Sequence, residues 1–291
     1  MENQLIQLYL RVCQTYDTCS DACFQRLSNN STPAFTDQEL LTIFFFGHHN
    51  GLFQKKAIYK FTLNYWKEWF PHLPSYQTFC YRLNLLERTF QALGGEWLRG
   101  VKAEMSPELD RLINSFPVML AQHGHAYTAR VAREIANRGY CAAKRTHFHG
   151  VRLHTIVQRR RGQLPLPDHI WLREARVHDL ASVREQEIQL PTSTLFGDKA
   201  YPAPDLAQAL KEQESRLLTP LKKPKGGELT ETQKSYNRMV NRLRQPVESF
   251  FNWLNEKTQI QNASKVRSTE SLLVQCWGKL AFAVFSLVFN Y

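Results

Sequence analysis

Two carboxylates in this chain stand where an acid could hold a cation or meet a reacting phosphate. Asp198 follows the short apolar run Thr194-Leu195-Phe196 and Gly197, and precedes Lys199-Ala200-Tyr201-Pro202, where the chain turns. Ligands of α/β sheets gather outside the carboxyl ends of strands, so an acid at that point is open to metal and substrate. The same side chain could instead cap its own turn. Glu248 lies beside an apolar stripe of Val240, Leu243, Val247, Phe251 and Leu254 at helical spacing. An acid at the edge of such a stripe needs a partner. Arg244, one helical turn earlier, would supply an ion pair; a metal shared with Asp198 is the alternative.

Other clusters carry weaker chemistry. His123/His125 and His147/His149 form two His-x-His pairs, but a zinc site needs three or four converging ligands and no Cys pair accompanies them. The cysteines are scattered, with Cys19 and Cys23 at helical spacing, as in a reduced cytosolic protein. No glycine-rich phosphate loop is present, which argues against nucleotide-driven chemistry. His154 is read as an edge of the site or a phosphate contact, and His178 as a DNA contact. Asp179, which follows it, would act as a helix cap.

The formal net charge is +11, which favours an anionic partner, most often nucleic acid. Residues 1–100 hold 9 basic and 8 acidic side chains, against 15 and 10 in residues 101–200 and 12 and 7 in residues 211–270. The electropositive surface therefore belongs to the second half. Arg159, Arg160 and Arg161 mark a basic turn, and Lys222, Lys223 and Lys225 a basic loop; both could track a DNA backbone. Lys199 is placed to hold a phosphate beside Asp198.

The elements that must position these groups fall into two kinds. Residues 1–100 read as a small helical domain: segments at 3–27, 40–46, 53–69 and 75–93, with a turn over 28–33, a Thr36/Glu39 capping box and a Ser75 cap. Such a unit can be a helix-turn-helix whose last helix reads a major groove with Gln77, Tyr81, Arg82 and Arg88; a packing or dimerisation domain is the other reading. After a hinge at 94–108, strands are expected at 112–119, 150–158, 164–172, 194–196 and 216–221. Helices are expected at 179–189, 205–214 and 230–256. That order implies an α/β domain with a mixed sheet over 101–270. Residues 271–291 read as an apolar helix packed on the core, with Trp277, Leu280, Val284 and Leu287 against the sheet. Lys279 interrupts that run, and a membrane span needs ~20 apolar residues. No segment after Met1 reads as a secretory leader.

Several stretches, in order and spacing, resemble the acidic-triad (DDE) transposases of bacterial insertion sequences, in particular insertion-sequence family 982. They are residues 36–47, 69–76, 138–142 and 149–154, together with Asn114-Ser115-Phe116-Pro117-Val118, Val177-His178-Asp179-Leu180, Gly197-Asp198-Lys199-Ala200-Tyr201 and Val247-Glu248-Ser249-Phe250-Phe251-Asn252-Trp253-Leu254. The likeness runs nearly end to end. It implies a ribonuclease-H-like mixed sheet flanked by helices, preceded by the all-helical domain. By motif, the metal-binding catalytic triad falls on Asn114, Asp198 and Glu248, with two Mg²⁺ ions (Mn²⁺ substituting) as cofactor.

Asn114 stands where the resemblance expects Asp. Two-metal phosphoryl transfer holds its ions ~3.5–4 Å apart between carboxylates, and an amide offers one oxygen and no charge to a hard cation. The expectation is a transposase that is catalytically impaired, Asn114 being either an engineered change or the mark of a decayed enzyme. Neither Glu104, Glu108 nor Asp110 is expected to rescue it. The implied partners are double-stranded DNA, meaning terminal inverted repeats and target DNA, and a second copy in a homodimer. The implied location is the cytoplasm at the nucleoid, with no membrane. The alternatives are a non-catalytic DNA-binding protein of transposase descent, or a ribonuclease-H-like nuclease without strand transfer.

Overall fold

The computed structural model describes residues 1–19, 22, 33–105, 109–186, 188–190 and 192–291. In chain order the elements are α1 (Glu2–Thr18), α2 (Asp37–His49), α3 (Lys55–Tyr65), α4 (Tyr76–Asn84), α5 (Glu87–Glu104), β1 (Asp110–Gln122), α6 (His125–Thr128), β2 (Asn137–Cys141), β3 (Thr146–Gln158), β4 (Leu166–Glu174), α7 (Asp179–Arg184), β5 (Thr194–Phe196), α8 (Pro204–Lys211), β6 (Arg216–Leu218), α9 (Glu231–Thr258) and α10 (Thr269–Phe289). They form two compact units, one of Met1–Met105 with Leu254–Tyr291, the other of Ser106–Trp253.

The first unit is helical. Thr36 starts α2 through the expected capping box: its N–H donates to Glu39 Oε2 (2.6 Å), and Glu39 N–H donates to Thr36 Oγ1 (3.1 Å). Phe45 then sits among the rings of Phe90, Trp97, Phe282 and Phe285, drawn from α5 and α10. The C-terminal apolar helix therefore buries itself in this unit, where packing against the sheet was expected. It is long and apolar enough to cross a membrane by length and composition, but two thirds of its most apolar window is buried inside the protein. The helix expected through 75–93 is two helices. Ser75 caps α4 by accepting Thr78 N–H; the chain breaks at Leu85-Leu86, and α5 continues through the expected hinge to Glu104. The expected helix 3–27 is α1, ending at Thr18. Residues 20–21 and 23–32, and with them Cys23 and the turn after it, lie outside the described residues.

The second unit is a six-stranded mixed sheet, ordered β2-β3-β1-β5-β6, with β4 also pairing with β3. β1 runs antiparallel to β3 and parallel to β5, and β5 parallel to β6. β2 and β4 take successive stretches of β3's other edge, at residues 146–150 and 151–158. Alternation sets the faces. Ile113, Ile156 and Leu195 form one core with Trp171, Val183, Tyr201 and Leu210. On the opposite face Phe116 stacks on Phe251 of α9, centroids 5.0 Å apart and rings 11° from parallel. This is the mixed sheet flanked by helices that the ribonuclease-H-like expectation requires. β2 and α6 were not expected. β2 reads Asn-Arg-Gly-Tyr-Cys, without apolar alternation, and is admitted because Gly139 lets the backbone approach: a Cβ there would lie 2.3 Å from Ala175 O. Gly150 does the same for β3, where a Cβ would lie 2.0 Å from Val118 O.

Candidate active site

The parallel pairing of β1 with β5 places Asp110 opposite Thr194, Arg111 opposite Leu195 and Leu112 opposite Phe196. The pairing ends there; Asn114 lies two residues beyond Leu112 on β1, and Asp198 two residues beyond Phe196, after the end of β5. Period two puts Asn114 on the face of Leu112 and Phe116, and Phe116 is the ring that meets α9. Glu248 lies on α9 three residues before Phe251, hence on the same side of that helix. Asn114 thus lies on β1, Asp198 in the turn after β5 and Glu248 on α9.

Each of the three already has a local partner. Asn114 Oδ1 accepts Ser115 N–H at 2.9 Å. Asp198 Oδ1 accepts Ala200 N–H at 2.7 Å, which is the turn-capping alternative realised. Glu248 Oε1 lies 3.1 Å from Arg244 Nη1 in the helical ion pair the spacing allowed. Arg244 is the more buried partner, with its side chain 12% exposed against 53% for Glu248, and its Nε has no hydrogen-bond partner.

Tyr201 follows the Asp198 turn and packs into the core with Ile113 and Trp171. Its ring is fully buried and its hydroxyl has no hydrogen-bond partner among the described residues. Burial pushes that hydroxyl well above the usual range; Asp179 and Asp198 push it the same way, while Arg244 and Arg152 oppose them. The charges of two acids and two guanidiniums thus act on one buried phenol that follows β5. Arg152 Nη1 reaches Asp179 Oδ1 at 3.4 Å and Ser115 Oγ at 3.3 Å. Arg152, Tyr201 and the influence of Arg244 on Tyr201 were missed from the sequence. The i,i+4 spacing pointed to Arg244 only as a partner of Glu248.

The remaining expected residues divide by exposure. Lys199, Lys222, Lys223, Lys225, Arg161 and His178 are exposed. Lys223 is 3.8 Å from Glu228. His178, rather than Asp179, caps α7, its Nδ1 accepting Leu180 N–H. Arg159 pairs with Asp110 at 3.0 Å, and Arg160 Nε donates to Leu164 O at 2.7 Å, so these two brace the turn that Arg161 tops. In the helical unit Gln77, Tyr81 and Arg88 are exposed. Arg82 is not the exposed reader expected: it clamps Asp37 (2.6 Å) and Phe35 O (2.6 Å). His154 is fully buried and stacked on Trp171; neither ring nitrogen makes a hydrogen bond among the described residues, and Nδ1 lies 4.0 Å from Asp179 Oδ1. Burial, then Arg152 and Arg173, lower its pKa to about 3. A neutral, enclosed ring cannot touch a phosphate, so the expected contact fails. Of the His-x-His pairs, His149 Nε2 is used on Val131 O (2.8 Å) and His123 Nδ1 on Thr146 Oγ1 (3.2 Å).

A pair of divalent ions does not fit this donor set as it stands. Among the described residues no three His, Cys, Asp or Glu side chains come together as metal ligands. The third group at the site is an amide whose oxygen is turned onto its own chain.

The family model described as "Transposase DDE domain" matches residues 108–269. No curated protein and no solved structure matches the chain. The matched segment contains Asn114, Asp198 and Glu248 and covers more than half of the sequence. Proteins of this family are nucleases and transposases acting on DNA with divalent ions. The chain belongs to the transposase DDE-domain family.

Proposed function

We propose that this protein is an insertion-sequence transposase of the family 982 type that still recognises DNA but is impaired in cutting it. Its substrates are the terminal inverted repeats of the element and a target duplex, engaged by a homodimer at the nucleoid. Asn114, Asp198 and Glu248 occupy the three triad positions, and the loss of charge at the first is the source of the impairment. The observation that supports this reading is the β1–β5 pairing, which makes the strand carrying Asn114 a neighbour of the strand that leads into Asp198, with α9 packed on β1 through Phe251.

The chain's own residues support DNA engagement without any catalytic step. Lys199 projects beside Asp198, Arg161 tops its turn, and the lysines of 222–225 follow β6 into solvent. Such cations neutralise phosphates and release counterions. Asp198 and Glu248 supply acidic oxygens at the place where a scissile phosphate would lie, tempered by Arg244 and Arg152.

The reading as a non-catalytic DNA-binding protein of the same descent is favoured by one observation, the three local bonds that occupy Asn114, Asp198 and Glu248. Mobility shift with element-end duplex against scrambled duplex tests the shared part of both readings. Preference for the end sequence is expected, and equal binding of both duplexes would refute recognition.

A further inference from the structure

The helical unit contains a cavity of about 510 Å³ between the start of α3, α4, the first turns of α10 and residues 259–268. Its wall carries Lys55, Lys56, Lys265, Arg267 and Lys279 and no acidic residue. Lys279 is 3% exposed, in the middle of the apolar helix α10. Its Nζ lies 3.4 Å from Gln259 O, its one hydrogen bond among the described residues. Lys55 Nζ donates to Asn84 Oδ1 at 2.5 Å and to Ser271 Oγ at 3.0 Å. Neither amine has a carboxylate partner within the described residues.

An ammonium carries three donors. Lys279 keeps two free and Lys55 one. Burying like charges without a counterion is costly, and burial draws both amines below their usual range, Lys55 to about 8 and Lys279 to about 7. On the wall only the Cys80 thiol opposes that cost, at Lys55, and no carboxylate does, so the missing complement is an anion. A bare phosphate would not fill the space, which lies in the size range of small-molecule sites. The remaining wall suits a base. The Phe53 ring stands 6.0 Å from Lys279 Nζ, and Tyr76 and the Gln54 and Asn262 amides line the same cavity. Aromatic faces stack nucleobases without regard to sequence.

We infer that this cavity is a second nucleic-acid site, taking one unpaired deoxynucleotide with its phosphate between Lys55 and Lys279 and its base against Phe53 and Tyr76. The inference rests on the transposase reading only for the source of the nucleotide, a frayed or cut DNA strand.

The test uses the full chain with Lys279→Met and Lys55→Met, and Lys60→Met as a control that removes an exposed charge elsewhere on α3. Fluorescence anisotropy follows a labelled short oligothymidylate, competed by thymidine monophosphate or inorganic phosphate; hydrogen exchange verifies the fold of each variant. Removing one charge-assisted hydrogen bond should weaken oligothymidylate binding about tenfold or more in either cavity variant, and less than about twofold in Lys60→Met. Thymidine monophosphate should compete better than inorganic phosphate. Unchanged binding by a folded Lys279→Met protein overturns the site, and equal competition by the two anions overturns its assignment to a nucleotide. Binding of thymidine monophosphate that depends on both lysines, in a protein that shifts no duplex, upholds the cavity as a free-nucleotide site and refutes the transposase reading instead.

Discussion

Replacing Lys279 by methionine should stabilise the protein, and by an amount that shrinks as pH rises. Burial, then the charge of Lys55, holds the Lys279 ammonium down at about 7 from its ordinary 10.5, with Cys276 opposing. In the folded chain the amine is neutral above pH 7, whereas unfolded it stays protonated to pH 10.5. The unfolded state therefore binds more protons between these values, and stability rises with pH across that window. A tenfold difference in proton affinity between the two states is worth about 1.4 kcal/mol. Keeping the amine in the core therefore costs about 4 kcal/mol at pH 7 and about 2 at pH 9. Two neighbouring groups titrate outside the window. His48 has already fallen to about 3, through burial and Lys279, and the Cys276 thiol is pushed up to about 12 by burial. Lys55, at about 8, titrates in parent and variant alike. Urea unfolding at both pH values, with hydrogen exchange of α5 and α10 peptides to localise the effect, should show Lys279→Met more stable than the parent by about 2 kcal/mol more at pH 7 than at pH 9. A gain that does not change with pH, or a variant less stable at both, would refute the placement of an uncompensated amine in that core.

Three further outcomes follow from the sheet unit. Phe251→Ala removes the ring stacked on Phe116 and should cost about 3–5 kcal/mol in denaturant unfolding. A loss under about 1 kcal/mol would mean that α9 is not seated on that face. His154→Phe keeps the stack on Trp171 and removes two buried nitrogens that make no hydrogen bond among the described residues, so its melting temperature should equal or exceed the parent's; a clear drop would show that the imidazole has a partner. Changing Lys222, Lys223 and Lys225 together to glutamine should reduce the salt slope of duplex binding by about 0.9 for each phosphate no longer neutralised. An unchanged slope places the DNA elsewhere.

The parts of the site closest to simple periodicity were legible. Asp198 follows an apolar triplet and a glycine, and β5 spans Thr194–Phe196 as expected. The apolar stripe from Val240 to Leu254 defines α9 because a long 3.6-residue pattern leaves few alternatives. Asn114 was legible only through the motif around it, since nothing in its type marks a ligand. Partners were less readable than burial. The run from Leu272 onward declared a buried helix but not that α5 and Phe45 would cover it. Arg82 looked like a surface cation because its clamp, Asp37 and Phe35, lies far back in the chain. The break at Leu85-Leu86 was hidden because two leucines suit a helix as well as a kink. The basic cavity was invisible for the same reason as the Arg82 clamp: Lys55 and Lys279 meet only through the fold.

The most direct measurement is cleavage of element-end DNA by the parent and by Asn114→Asp, in Mg²⁺ and in Mn²⁺. On the proposed triad, a carboxylate at position 114 should raise the rate by about 10²-fold or more, the scale of losing one well-placed transition-state group. Indistinguishable rates from two folded, DNA-binding proteins would contradict the assignment of position 114 to the catalytic centre.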